Sequence, residues 1–91
     1  MNNIEKTQSY EAAPAPDPTA KEVLEKVYAA LRQKGYDPIN QFVGYIMSGD
    51  PSYITGYHGA RNLITKVDRE ELVEEIMQAY LDNEKDRKKY R

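Results

Sequence analysis

The sequence predicts an all-α protein, a compact bundle of four to five short helices. Three observations carry this. Asp-Pro recurs at Asp17-Pro18, Asp37-Pro38 and Asp50-Pro51. An N-cap Asp accepts otherwise unpaired amide hydrogens, and Pro at the next position has none to leave unpaired. Apolar residues after the first two starts return at helical spacing. Strand periodicity has one candidate, Gln41–Ile46, and it is bracketed by the Asp37 cap and by Gly49.

Residues 1–16 read as a disordered N-terminal arm, because Glu11-Ala12-Ala13-Pro14-Ala15-Pro16 has no apolar periodicity with which to offset its ordering entropy. Residues 17–84 read as the helical globular domain. The first helix is expected to start at Asp17-Pro18, to bury Val23, Leu24, Val27, Tyr28 and Leu31, and to stop at Gly35. The second is capped by Asp37, opened by Pro38 and ended by Gly49, with Ile39, Phe42, Val43, Ile46 and Met47 as its stripe. Two or three linking residues imply that these helices pack as neighbours. Gly44 weakens the second helix by about 1 kcal/mol relative to Ala, and is either merely tolerated there or permits close backbone approach by a neighbouring helix.

Asp50-Pro51 starts a segment too short for more than a turn or two. A short helix over Ala60–Lys66 is expected to turn Leu63 and Ile64 inward. Asp68 and Glu71 then form a capping-box pattern, opening a last helix to about Asn83 with Leu72, Val73, Ile76, Met77, Ala79 and Tyr80 as its apolar residues. Residues 85–91 form a basic C-terminal tail. A core of this size without disulfides supplies only about 3–5 kcal/mol. The eight tyrosines suit an interface, dry at one end and wet at the other, so a homodimer is expected.

Composition narrows the function. There is no cysteine and one histidine, so disulfides, thiolate metal sites and cysteine nucleophiles are excluded and no cofactor is expected. No apolar run is long enough to span a membrane. The N-terminus has neither a secretory pattern nor a myristoylation glycine. A cytoplasmic protein without membrane insertion is expected. His58 lies in a loop between Gly56 and Gly59, and Glu70/Glu71 and Glu74/Glu75 read as a solvated helix face. Gly56-Tyr57-His58-Gly59 lacks the strand and the Lys-Ser/Thr of a phosphate loop. No catalysis is expected. With net charge -2 and pI near 5.4, nucleic acid is disfavoured as a partner. The alternative is a helix-turn-helix-like nucleic-acid-binding protein reading with Arg61, Asn62, Lys66 and Arg69. A third reading is a phospho-regulated interaction protein. Thr7, and less strongly Ser9, would take the phosphate in the arm. The added charge of about -1.5 to -2 would then pair with basic groups such as Arg61, Arg69 or the tail.

The middle of the chain decides between these readings. Lys34-Gly35-Tyr36-Asp37-Pro38-Ile39-Asn40-Gln41-Phe42-Val43-Gly44-Tyr45, then Ser48-Gly49-Asp50-Pro51-Ser52-Tyr53-Ile54, then Ala60-Arg61-Asn62-Leu63-Ile64, resemble in order and spacing the signature of the IreB family, over about Glu22–Leu81. Lys6-Thr7-Gln8-Ser9-Tyr10 is similar to that family's Thr-x-x-Phe element. The resemblance implies a small cytoplasmic homodimer of Firmicutes-type bacteria. It implies phosphorylation on N-terminal threonine by a transmembrane Ser/Thr kinase with PASTA repeats, reversed by a cognate phosphatase, and a role in cell-envelope stress and cephalosporin resistance. The downstream protein is not implied. Thr7 matches a family site; Ile4 and its neighbours offer no second one. Thr55 stands where the family has Pro, and Gly59 where it often has an acidic residue. The Asp-Pro pairs are expected to start helices. Gly35, Gly44 and Gly49 are expected to answer backbone requirements. Asn40 and Gln41 are expected to satisfy buried or cross-dimer polar groups.

Overall fold

A computed structural model describes residues 17–88, with side chains through Asp82. The described residues form four α-helices and two single 3-10 turns, without strands. The helices are α1 (Ala20–Gln33), α2 (Pro38–Ser48), α3 (Ala60–Ile64) and α4 (Arg69–Lys88); the 3-10 turns are Pro51–Tyr53 and Tyr57–Gly59. None of the described helices is long and apolar enough to cross a membrane.

The first helix starts two residues later than Asp17-Pro18 suggests. Its N-cap is Thr19, whose hydroxyl accepts from the Glu22 amide at 3.1 Å while the Glu22 carboxylate accepts from the Thr19 amide at 3.0 Å. This reciprocal box satisfies two donors. At the other end, Gly35 takes φ 84. Its amide donates to Arg32 O, and the Tyr36 amide donates to Leu31 O at 2.9 Å, the paired bonds of a Schellman stop. Asp37 caps α2 through the amides of Ile39 and Asn40, and Gly49 ends it at φ 76. Asp50 caps the Pro51 turn through the Ser52 amide at 3.0 Å. The Glu71 carboxylate accepts from the Asp68 amide at 3.3 Å, one half of the expected box.

The core takes Val23, Val27, Ala30 and Leu31 from α1, Phe42 and Tyr45 from α2, Ile54 from the link, Ala60 and Ile64 from α3, Val67 from the following turn and Leu72 from α4. Helix α1 is its axis. It packs most extensively on α3 and α4, and less on its chain neighbour α2, which lies against the Pro51–Tyr53 turn. The short connection does leave α1 and α2 in contact as neighbours, while α3 and α4 take the larger part of α1.

Two apolar stripes are only partly used. In α2, Phe42 and Tyr45 are buried while Ile39, Val43 and Met47 are exposed. Among the described side chains of α4, through Asp82, Leu72 alone is fully buried, and Val73, Ile76, Met77 and Tyr80 remain accessible. Tyr28 of α1 is also exposed. Nor is α4 short: it continues past Asn83 to Lys88. Glu84-Lys85-Asp86-Arg87-Lys88 contains neither Gly nor Pro, so no residue there halts the backbone ladder.

Candidate functional site

The three signature blocks meet around the far end of α2. The Gln41 amide donates to Tyr53 O at 2.6 Å, tying α2 to the 3-10 turn. Above Gly44 lies the Tyr53 ring: a Cβ there would come within 2.4 Å of its carbons. The close approach that Gly44 permits is therefore by an aromatic side chain, not by a helix. The Ser48 hydroxyl donates to Gly44 O at 2.7 Å and accepts from the Asp50 amide at 3.0 Å, turning the chain out of the helix. Asn40 is engaged locally, its amide donating to the Asp37 carboxylate at 3.1 Å.

Two arginines complete the brace. Arg61 Nε donates to Ile54 O at 2.8 Å in a partly buried contact. Arg69 Nη1 donates to Ile46 O at 2.9 Å, and its guanidinium covers Gly49, where a Cβ would lie 2.9 Å from Cζ. Arg61 and Arg69, which the nucleic-acid alternative would place on a reading face, are thus spent on backbone carbonyls. Asn62 is exposed, and its carbonyl accepts from the Thr65 hydroxyl at 2.7 Å. The Asp50 carboxyl is held below the usual carboxylate range, first by hydrogen bonding from Ser52 and secondarily by the Arg61 charge. The bracing roles of Tyr53, Ser48 and Arg69 were missed in the sequence because their partners are backbone atoms or a glycine face, which leave no pattern in the chain.

The loop that departs from the family pattern is locally satisfied. The Thr55 hydroxyl accepts from the Tyr57 amide at 3.2 Å, and Gly59 has φ 71, where any side chain would be strained. Among the described residues, no group of three or more His, Cys, Asp or Glu side chains is placed to hold a metal ion.

A second feature is an open apolar face. Arg69 meets Ile46 at one end of the α2/α4 pair, while Ile39 and Ile76 line one groove at the other. The helices therefore run antiparallel, and Ile39 of one partly used stripe and Ile76 of the other open on the same groove, with α1 between them. The groove holds about 420 Å³ and is lined by Leu24, Glu25, Tyr28, Ile39, Phe42 and Ile76. Ile39 in its wall is 65% exposed, and farther along the two helices Met47 and Tyr80 are 78% and 61% exposed. Thr7 and Ser9 lie outside the described residues.

The model of the family described as IreB regulatory phosphoprotein matches residues 5–82. The chain belongs to the IreB family. A relative from Lachnoclostridium phytofermentans, a UPF0297 protein, is 52% identical over 83 residues, covering 91% of this chain and 94% of its own. IreB membership accounts for the three signature blocks. They build the brace around Tyr53 and the two arginines, and they contribute Ile39, Phe42 and Val43 to the open face. The match also reaches back through Thr7, into the segment ahead of the described body.

Proposed function

We propose that this protein is a non-enzymatic regulatory protein that works as a homodimer and is switched by phosphorylation of Thr7. A membrane Ser/Thr kinase adds the phosphate and a cognate phosphatase removes it. The output is control of the cell-envelope stress response, including resistance to β-lactams of the cephalosporin type. The family match carries this reading: it describes a regulatory phosphoprotein and includes the segment that holds Thr7.

The body supports the same reading in two ways. Its signature residues are bound up in capping, bracing and close approach, so they shape a surface instead of presenting reactive groups. The exposed α2/α4 face gives a second copy apolar area to cover, and in a small domain such a face marks an interaction site. A two-fold axis through it would set each α4 beside its partner copy, since an isologous contact uses one patch twice.

The test is phosphorylation of the full chain by a PASTA-repeat kinase from the same cell. Wild type is expected to incorporate phosphate, Thr7→Ala to lose most of it, and Ser9→Ala to retain it. Undiminished labelling of Thr7→Ala would remove Thr7 from the switch.

A further inference from the structure

A cleft of about 240 Å³ opens between α1 and the turn leading into α3. This is room enough for a phosphorylated side chain. Its apolar lining includes Ala30 and Leu63, and its polar groups are Lys26, Gln33 and His58. Among the described residues His58 is the one non-glycine with a left-handed backbone, at φ 52. Such a conformation persists where the surroundings over-determine it, and it gathers at functional sites. Here the imidazole lies against Tyr57, tilted 44° to it with ring centroids 4.0 Å apart, and the Lys34 ammonium sits 5.0 Å from the same ring. The imidazole is thus held at the cleft, with Lys34 close behind.

No ion pair within the described residues uses Lys26, Lys34 or His58; the pair found there joins Lys21 to Glu25. A small apolar hollow beside an ammonium, an imidazole and an amide suits a phosphate carried on a methyl-bearing carbon. The geometry points to the phosphorylated side chain of Thr7 as the occupant. Its phosphate meets Lys26 and His58, the Gln33 amide donates to it, and the threonine methyl lies against Ala30 and Leu63. This inference rests on the phosphorylation proposed above.

Reach and charge agree with it. Thr7 is ten residues ahead of Asp17, a span of up to about 33–36 Å when extended. Lys26 lies nine residues beyond Asp17, about 14 Å at helical rise. Where the chain joins the body the nearest cleft is lined by Asp17, Glu71, Glu74 and Glu75 beside one Lys66. A phosphate is repelled there and drawn to the Lys26 side.

The experiment adds synthetic peptides of residues 3–12 to the full, unphosphorylated chain and follows backbone amides by NMR. The peptide carrying phosphothreonine at Thr7 is expected to shift Ala30, Gln33, His58 and Leu63 saturably, and the unphosphorylated peptide to leave them in place. Inorganic phosphate is expected to bind about tenfold more weakly, and Lys26→Gln or His58→Gly to weaken the phosphopeptide by about fivefold or more. His58→Gly removes the imidazole while relaxing the left-handed backbone, so the fold is kept and the comparison holds. Shifts confined to the Asp17 side, no shifts, or equal binding by the variants would overturn the inference. Binding of inorganic phosphate as tight as the peptide would also overturn it, reducing the cleft to an adventitious anion patch. Because the peptide carries its phosphate from synthesis, a silent cleft sinks this inference alone, whereas failed kinase labelling of Thr7 sinks the reading beneath it.

Discussion

At Gly44 two effects oppose each other. Alanine improves helix propensity by about 1 kcal/mol, but its Cβ would fall 2.4 Å from the Tyr53 ring, including atoms near the root of that side chain. Overpacking of this kind costs about 1–3 kcal/mol. Gly44→Ala is expected to destabilise the protein by about 1 kcal/mol in urea titration, and to become stabilising in a Tyr53→Ala background. A loss that persists without Tyr53 would show that something other than the ring sets the requirement. Asp50 gives a pH signature. Its carboxyl lies below its ordinary value through hydrogen bonding from Ser52. A lowered folded-state value means that its contribution is fully present above the unfolded carboxylate range, and is lost as pH falls through the folded value. Thermal melts across the acid range are expected to be steeper for wild type than for Asp50→Asn, which still caps but does not titrate. Parallel curves would remove Asp50 from the acid response.

Helix α4 is unusual at the scale of elements. It spans Arg69–Lys88, yet among its described side chains the one fully buried is Leu72. Helices in proteins are held mostly by packing, so one with so little of it in a single copy is weakly supported beyond Leu72. Hydrogen exchange is expected to show strong protection near Leu72 and steep decline beyond Ala79 at low protein concentration, with the decline moving outward as concentration rises. Protection independent of concentration would mean that α4 needs no second copy. Helix α1 behaves in the opposite way. It is buried along one side and stapled at the Thr19–Glu22 box, and Thr19→Ala is expected to cost about 1 kcal/mol in chemical denaturation. A loss within error would shift the capping role back to Asp17.

Over the whole molecule, the body has a covered side, where α3 and the Tyr57–Gly59 turn close on α1 and the Pro51–Tyr53 turn bridges α2 and α3, and an open side to which α2 and α4 contribute their exposed apolar residues. The proposed dimer uses the open side, and the phosphate cleft lies at the other boundary of α1, between α1 and α3. One molecule can therefore hold a second copy and a phosphorylated arm together. Val43→Asp and Ile76→Asp, at half-exposed positions on the open face, are expected to leave the helical spectrum intact and shift sedimentation velocity toward monomer. Unchanged sedimentation in both variants would move the dimer interface elsewhere.

Much of this was legible in the chain because it is local. The caps at Asp37 and Asp50 and the stops at Gly35 and Gly49 concern groups within five residues of each other. The same locality misled at Asp17, where Thr19 two residues on offered a reciprocal bond to Glu22. Sequence by itself determined an all-helical chain, where most of its helices begin and end, and the family. Tertiary structure alone decided that Tyr53 covers Gly44, that Arg61 and Arg69 serve carbonyls, and which half of each apolar stripe stays open. Those outcomes depend on distances between segments far apart in the chain, and helical periodicity fixes the direction of a face without fixing what lies opposite it.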